Sequence, residues 1–170
     1  MKYWDFRESG KPQYDYYAYT DGSYLVPKNF GAAACIVLDR DAERVLYQWS
    51  EASRYSTSHR QELAAIIHAL LHVPERSSVL VRSDCESGIA LLTGQVRSKK
   101  DGDLVDLYRQ VKKDRELSVT LEWVRSHSGD RWNDYVDYLC IEALDLFESK
   151  GTRVREGVDS EALFAYICKQ

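Results

Sequence analysis

Alternating residue types in the first third of the chain predict three β-strands. Tyrosines alternate with small or polar residues over residues 14–20, and the sequence Asp21-Gly22-Ser23 is expected to end this first strand. Small and β-branched residues over 31–38 predict a second strand. Residues 44–50, after a charged turn, predict a third. The three segments together predict an antiparallel meander.

The hydrophobic period changes to a helical one over residues 58–72. Leu63, Ile66, Ile67, Leu70 and Leu71 recur at three- and four-residue spacing, and Pro74 ends the pattern. The following elements are predicted to be a strand, two helices, a strand and a long helix, over residues 79–81, 86–92, 104–111, 119–124 and 132–147. The order βββαβααβα predicts an α/β domain with a five-stranded mixed sheet flanked by helices.

The length of 170 residues suits one domain with short additions at its ends. We expect an N-terminal extension over residues 1–12, a folded domain over 13–149 and a C-terminal tail of unknown role over 150–170. An amphipathic segment at 161–167 lies within that tail. Hydrophobic residues make up 44% and aromatic residues 12%, which excludes a disordered chain and supports a real core.

The charge balance restricts how a polyanion could be held. The chain has 23 basic and 27 acidic residues, a net charge of −4, so a nucleic acid would need a local basic patch or metal ions. Residues 97–115 carry an excess of basic over acidic residues and are the best candidate for phosphate contacts. The alternative is a solvated helix face of mixed charge.

Cysteine and histidine positions predict no zinc site. The four cysteines are far apart, with no Cys-x-x-Cys pair and no tight Cys/His cluster, so we expect reduced thiols in a cytoplasmic protein. His68 and His72 fall on the first predicted helix and are expected to have no chemical role. The absence of a signal core and of a run of about 20 apolar residues predicts a soluble protein without a membrane span.

Four carboxylates occupy positions that are unusual for acidic residues. Asp21 and Asp84 are expected at the carboxyl ends of strands, where α/β proteins bind ligands. Glu62 and Asp137 border the apolar faces of two helices. The alternatives are turn or cap residues for the first two, and exposed or arginine-paired side chains for the others.

Convergence of these four acids would require a way to relieve their mutual repulsion. Divalent cations or raised pKa values would both do so, and ligands that are all oxygen favour Mg²⁺ or Mn²⁺ over zinc. Paired Mg²⁺ ions about 3.5–4 Å apart commonly serve phosphodiester hydrolysis. The residues alone therefore indicate metal-dependent phosphoryl chemistry as one possible function.

Four sequence blocks, in order, resemble the type 1 ribonuclease H family over about residues 14–147. They are Tyr19-Thr20-Asp21-Gly22-Ser23 with Gly31-Ala32-Ala33-Ala34, Arg60-Gln61-Glu62-Leu63-Ala64-Ala65, Ser83-Asp84, and Val124-Arg125-Ser126-His127-Ser128-Gly129 with Asn133 and Val136-Asp137-Tyr138-Leu139. The resemblance implies a ribonuclease H-like fold, with residues 13–149 as the catalytic domain. It also implies hydrolysis of the RNA strand of RNA–DNA hybrids to 5′-phosphate and 3′-hydroxyl products.

The resemblance assigns expected roles to the site residues. Asp21, Glu62, Asp84 and Asp137 would hold two Mg²⁺ ions, for which Mn²⁺ can substitute, and Asp21 would bridge both ions. His127, on a glycine-containing loop, would assist proton transfer or product release. The protein would act as a monomer without an obligate protein partner.

Substrate contacts are expected from residues around these acids, namely Gly22, Ser23, Thr57, Ser58, His59, Lys99 and Lys100. Thr57-Ser58-His59 stands where the family usually has asparagine or glutamine, and Glu86 stands where glutamine is common. Trp49 and Trp123 are expected in the core, while Trp132 is the tryptophan expected to contact nucleic acid. The departures leave two alternatives, a non-catalytic nucleic-acid-binding module on this fold and a metal nuclease with another nucleic-acid substrate.

Overall fold

A mixed β-sheet forms the centre of the computed structural model, which describes residues 14–54 and 56–157. Its first three strands are β1 (Tyr16–Leu25), β2 (Phe30–Leu38) and β3 (Val45–Arg54). A single 3₁₀ turn, Val26–Lys28, connects β1 to β2. The three strands pair antiparallel in sequence order, which confirms the predicted meander.

The rest of the chain alternates helices and strands. Helix α1 (Ser58–His72) leads to strand β4 (Ser78–Ser83), and the next elements are α2 (Glu86–Leu92) and α3 (Gly102–Asp114). Strand β5 (Ser118–Trp123), the long helix α4 (Arg131–Lys150) and strand β6 (Val154–Gly157) complete the described chain. The α/β architecture is therefore the one predicted.

Strand β1 divides the sheet into a parallel and an antiparallel half. The strand order is β5-β4-β1-β2-β3-β6, in which β4 runs parallel to both β1 and β5, and the remaining neighbours are antiparallel. In open α/β sheets, ligands collect beyond the carboxyl ends of parallel strands. The carboxyl end of β4, beside β1, is therefore where a site is expected.

Two hydrophobic cores cover the two faces of the sheet. On one face Ala33, Cys35 and Val37 of β2 pack with helices α1, α2 and α3, whereas their neighbours Ala34 and Ile36 pack on the other face with α4. Every residue of β2 is buried, because alternate side chains point into opposite cores. The site-bearing strand β1 is thus held between a fully buried neighbour and β4.

Within residues 14–54 and 56–157 the sheet has six strands, whereas five were predicted. Strand β6 pairs antiparallel with β3, with Glu156 opposite Trp49, and it lies in the segment expected to be a tail. Its four residues include two charged residues and a glycine, too few for a period-two pattern to be visible. The predicted segments 1–12 and 161–167 lie outside the described residues, so the domain boundaries remain predictions.

The turn-forming sequence Asp21-Gly22-Ser23 was expected to end β1, and this prediction is wrong. These three residues pair with Ala34, Ala33 and Ala32 of β2, and β1 continues to Leu25. Pairing with a buried strand outweighs the local turn preference. None of the described helices is long and apolar enough to cross a membrane.

Candidate metal and active site

The register between two parallel strands brings Asp21 and Asp84 together. The β1–β4 ladder ends with Thr20 opposite Ser83, so each aspartate is the next residue on its own chain. Strand β4 ends at Ser83, whereas β1 continues along β2. Asp84 therefore lies at the carboxyl end of β4, beside the point where β1 becomes a purely antiparallel strand.

Gly22 lets helix α1 approach this point closely. A Cβ atom at Gly22 would lie 2.4 Å from the backbone nitrogen of Glu62 and 2.6 Å from the carbonyl carbon of Gln61. Real Cβ atoms do not approach backbone that closely, so only glycine permits this packing. The absence of a side chain at Gly22 thereby allows Glu62, one residue further along α1, to reach the aspartates.

Three carboxylates converge at this place. One oxygen from each of Asp21, Glu62 and Asp84 lies within 4.8 Å of the others. Asp21 and Glu62 are buried, with exposed fractions of 5% and 8%. The Oε2 atom of Glu62 has no hydrogen-bond partner among the described residues, which is costly for a buried polar atom.

Burial and mutual repulsion raise the pKa values of these acids. Burial, followed by the negative charges of Asp84 and Asp137, raises the pKa of Asp21 to about 8. Burial and the charges of Asp21 and Asp84 raise the pKa of Glu62 to about 10. The pKa of Asp84 is also raised, mainly by burial and then by Asp137.

Asp137 approaches the cluster from the opposite face of the sheet. It lies in the second turn of α4 and is half-buried, and its charge acts on both Asp21 and Asp84. The start of α4 is capped by Asp130, whose Oδ1 accepts the backbone N–H groups of Trp132 and Asn133 at 3.0 and 3.2 Å. The position of this cap therefore sets where Asp137 lies.

A buried network attaches the cap of α4 to the sheet. The guanidinium of Arg82, 1% exposed, donates to the Tyr19 hydroxyl at 2.8 Å, and that hydroxyl donates to Asp130 at 3.0 Å. The Nε atom of Arg82 also lies 3.4 Å from a carboxylate oxygen of Glu122. Arg82 and Tyr19 are in register on β4 and β1, one residue before Ser83 and Thr20, so the network begins next to the carboxylates.

His127 lies on the exposed loop between β5 and α4. Its backbone is in the left-handed region, with φ of 53°, and Gly129 has φ of 88°. Positive charge on His127 lowers the pKa of Asp84, which places the imidazole near the acidic cluster. The loop thus carries His127 on the side of the cluster where Asp84 lies, and its role stays a prediction.

The residues expected to contact substrate divide into packed and accessible groups. Thr57 is the N-cap of α1, because its Oγ1 accepts the Arg60 backbone N–H at 3.1 Å. Ser23 has a buried hydroxyl without a hydrogen-bond partner among the described residues, whereas Ser58, Lys99 and Lys100 are exposed. Gly22 and Thr57 therefore have structural roles in the packing and capping of α1. A substrate contact from Gly22 would come from its backbone atoms, and one from Thr57 from its backbone or its capping hydroxyl.

The loop before α3 is attached to the start of α1. His59 Nδ1 lies 3.2 Å from Asp101, and Arg60 donates to both Asp101 and Asp103. This ties the basic loop carrying Lys99 and Lys100 to the helix that carries Glu62. Arg115, at the other end of the basic segment, donates to the carbonyl oxygens of Leu70 and Val73 and so supports the fold.

The burial of two tryptophans is the reverse of what was expected. Trp132 is buried, 2% exposed, and its indole N–H donates to the carbonyl of Ala42 at 2.9 Å, so the expectation that it contacts nucleic acid is wrong. Trp123, expected in the core, is 48% exposed and donates to the carbonyl oxygen of Asp84 at 3.3 Å. Trp49 is buried as expected. The signal for Trp123 was its position at the end of β5, at the same sheet edge as Asp84.

The four acids suit hard divalent cations. All their ligand atoms are oxygens, and none of the ion pairs among the described residues involves Asp21, Glu62, Asp84 or Asp137. The unpartnered Oε2 of Glu62 offers a further lone pair. Mg²⁺ and Mn²⁺ prefer such carboxylate ligands and would remove the repulsion that raises the pKa values.

Comparison with known proteins agrees with the fold. The family model for RNase H matches residues 13–145. The chain is 32% identical over 142 residues to a Ribonuclease H of Anaeromyxobacter dehalogenans, a match that covers 74% of this chain and 78% of that protein. It is 26% identical over 151 residues to a Ribonuclease HI of Synechocystis, covering 82% and 91%.

Solved structures share the fold at lower identity. The N-terminal RNase H domain of rv2228c from Mycobacterium tuberculosis matches with a TM-score of 0.66 at 18% identity, covering 81% of this chain and 98% of that one. RNase H1 from the halophilic archaeon Halobacterium salinarum matches with a TM-score of 0.63 at 21% identity, covering 76% and 97%. These likenesses show the shared fold.

Proposed function

Because this chain belongs to the ribonuclease H family, we propose that it cleaves the RNA strand of RNA–DNA hybrids at the carboxylate cluster. The proposal includes two divalent cations, Mg²⁺ or Mn²⁺, and products with 5′-phosphate and 3′-hydroxyl ends. The single observation that carries it is the convergence of Asp21, Glu62 and Asp84 within 4.8 Å, in a chain of this family.

The four acids would hold the cations from both sides of the sheet. The charges of Asp84 and Asp137 act on Asp21, and that of Asp21 acts on Glu62, so the four acids would hold the cations together. When bound, the cations would activate a water molecule and stabilise the negative charge of the reacting phosphate. The raised pKa values of Asp21 and Glu62 mean that both carboxyls must lose protons before they become ligands.

His127 would exchange protons with solvent at the edge of the site. Its exposed position on a loop with two left-handed residues lets the imidazole reach both the acids and water. Imidazole is suited to proton transfer because its ordinary pKa is near neutrality. We therefore assign His127 a role in proton transfer or product release, and none in holding the cations.

The hybrid would lie across the ends of α1 and β5. Ser58 and His59 at the start of α1, with Lys99 and Lys100 on the loop tied to it, supply hydroxyl, imidazole and ammonium groups for 2′-hydroxyls and phosphates. Trp123 presents an exposed indole beside Asp84, where a sugar or base could stack. These contacts come from both sides of the carboxylate cluster.

A cleavage assay with three duplexes tests the proposal. End-labelled RNA–DNA, RNA–RNA and DNA–DNA duplexes would be incubated with Mg²⁺, with Mn²⁺ and with chelator. We expect loss of only the RNA strand of the hybrid, and only with a divalent cation. Products with 5′-phosphate and 3′-hydroxyl ends should be joined directly by a ligase and labelled by a kinase only after treatment with a phosphatase. Cleavage that persists in chelator would contradict the metal-dependent mechanism.

Asp84→Asn and Asp145→Asn form a matched pair for the assay. Loss of a cation ligand should reduce the cleavage rate at least about a hundredfold, while circular dichroism and hybrid binding stay close to wild type. Asp145 is exposed on the same helix as Asp137, and its substitution should leave the rate unchanged. An Asp84→Asn protein with more than about a tenth of the wild-type rate would exclude Asp84 as a ligand.

A further inference from the structure

A second group of metal-ligating side chains lies away from the carboxylate cluster. His68 and His72 are one turn apart on α1, and Glu156 projects from β6 towards them. One nitrogen from each imidazole and one carboxylate oxygen of Glu156 all lie within 4.8 Å of one another. His68 and His72 are six and ten residues beyond Glu62 on α1, about 9 and 15 Å along the helix axis, so the two clusters are separate sites.

The two imidazoles are held in defined orientations. His72 Nδ1 donates to the backbone carbonyl of His68 at 3.0 Å, which fixes the tautomer and leaves the lone pair on Nε2. The His72 ring stacks on Tyr47 at 3.9 Å between centroids, and the His68 ring stacks on Trp49 at 3.8 Å. The two imidazoles also stack on each other, with centroids 4.7 Å apart and 26° between their planes, so they would turn towards each other to direct their in-plane lone pairs at one ion.

A hydroxyl group connects the histidine and the carboxylate. The Tyr47 hydroxyl donates to Oε2 of Glu156 at 3.1 Å and lies 3.0 Å from Nε2 of His68. Because its single proton goes to Glu156, Nε2–H of His68 is the donor in the second contact, which leaves the lone pair of His68 on Nδ1. Outer hydrogen bonds of this kind orient the ligands of protein metal sites. Tyr47, Trp49 and Glu156 lie on the same face of the sheet, because Glu156 is opposite Trp49 and Tyr47 is two residues before it on β3.

We propose that His68, His72 and Glu156 form a site for a late first-row transition metal ion of the Zn²⁺ class. Two imidazole nitrogens and one carboxylate oxygen are a ligand set that zinc accepts, whereas Mg²⁺ requires oxygen ligands. Histidines four residues apart on a helix present both rings on one face, as chelation of one ion requires. The site is independent of the proposed nuclease function.

The ion would fasten β6 to the body of the domain. Strand β6 has four residues at the edge of the sheet, and Glu156 is exposed. A bond from α1 through the ion to Glu156 would join chain segments that are far apart in sequence, and it would stabilise the folded state because the three ligands meet only there. Bound zinc would therefore hold β6 in place on the sheet, and the ion would have no direct role in hydrolysis.

Zinc titration in the presence of excess Mg²⁺ tests the site, because Mg²⁺ would compete with zinc for the carboxylate cluster. Calorimetry should give one zinc per chain, and zinc at about one hundred times the dissociation constant should raise the melting temperature by about 5–10 °C. Hydrogen exchange of the peptide that includes β6 should slow on addition of zinc chloride. His72→Gln and Glu156→Gln, both at exposed positions, should each weaken zinc binding at least about tenfold and remove the slowing.

Two control variants separate this site from others. His59→Gln removes a histidine outside the cluster, and Asp84→Asn weakens the carboxylate site. Both should keep the wild-type zinc affinity and the rise in melting temperature. The proposal is overturned if wild type binds no zinc under these conditions, if His72→Gln and Glu156→Gln bind it as wild type does, or if Asp84→Asn abolishes binding.

Discussion

Replacement of Glu62 by glutamine should stabilise the metal-free protein while removing a cation ligand. The carboxyl is buried next to Asp21 and Asp84, and its pKa is raised from 4.5 to about 10. At neutral pH the unfolded chain has this group ionised, so folding must take up a proton against the solution pH. Glutamine has nearly the same shape and carries no such cost.

The size of the effect follows from proton linkage. Protonation of Glu62 on folding lowers the free energy of unfolding by 2.303RT for each pH unit above the unfolded pKa of 4.5. At about pH 7 this gives about 3 kcal/mol as an upper value. The folded pKa exceeds the unfolded one, so this contribution is most favourable below 4.5 and is lost as the pH rises towards 10. The advantage of Glu62→Gln should therefore shrink to under about 1 kcal/mol at about pH 5.

Denaturant unfolding followed by circular dichroism, with chelator at both pH values, measures this difference. Glu86→Gln is the matched control, because Glu86 is exposed in the first turn of α2, and its substitution should change stability by less than about 0.5 kcal/mol. Mg²⁺ should stabilise wild type more than Glu62→Gln and so narrow the gap. A destabilised Glu62→Gln protein, or a gain that is equal at both pH values, would refute the reasoning.

Three further substitutions test the supports of the site. Gly22→Ala should lower the free energy of unfolding by about 1–3 kcal/mol and the cleavage rate by about a hundredfold, because its Cβ would displace the α1 backbone. Gly102→Ala is the control: its Cβ would point into open space, so stability and cleavage rate should both stay unchanged. Tyr19→Phe should cost about 1–3 kcal/mol in urea unfolding by leaving the charges of Arg82 and Asp130 without their bridge, and a neutral result would mean that water replaces the hydroxyl. His127→Asn, which tolerates the left-handed backbone, should slow single-turnover cleavage by about ten- to a hundredfold with hybrid affinity unchanged, and an inactive protein would show that His127 has a larger role.

The elements with a long, regular pattern could be predicted from the sequence. Helix α1 was predicted with its observed bounds, 58–72, because its apolar residues recur at helical spacing and Pro74 ends the pattern. The four acids could be singled out because two were expected at strand ends and two border buried helix faces, and the resemblance to the family implied that they share one site. These signals are local, so each is visible in a short window of the chain.

Features that depend on distant partners could not be predicted. Strand β1 passes through Asp21-Gly22-Ser23 because β2 offers three alanines for pairing, which the local sequence does not show. Strand β6 forms only because it pairs with the edge of β3, so it was not predicted. The approach of Glu156 on β6 to His68 and His72 was missed for the same reason. Trp132 is buried and Trp123 is exposed because of how their helix and strand pack against other parts of the fold, and residue type alone does not determine that packing.

The contacts that complete the carboxylate site join segments from opposite ends of the domain. Arg82 and Tyr19 are 63 residues apart in the chain, and Tyr19 and Asp130 are 111 residues apart. Such pairings form late, since a long loop must close before they are made, and a domain folds as a unit during synthesis. A nascent chain on the ribosome therefore carries Asp21, Glu62 and Asp84 long before α4 brings Asp137. Hydrolytic competence would appear only when the last helix has docked, which makes nuclease activity a direct report of completed folding.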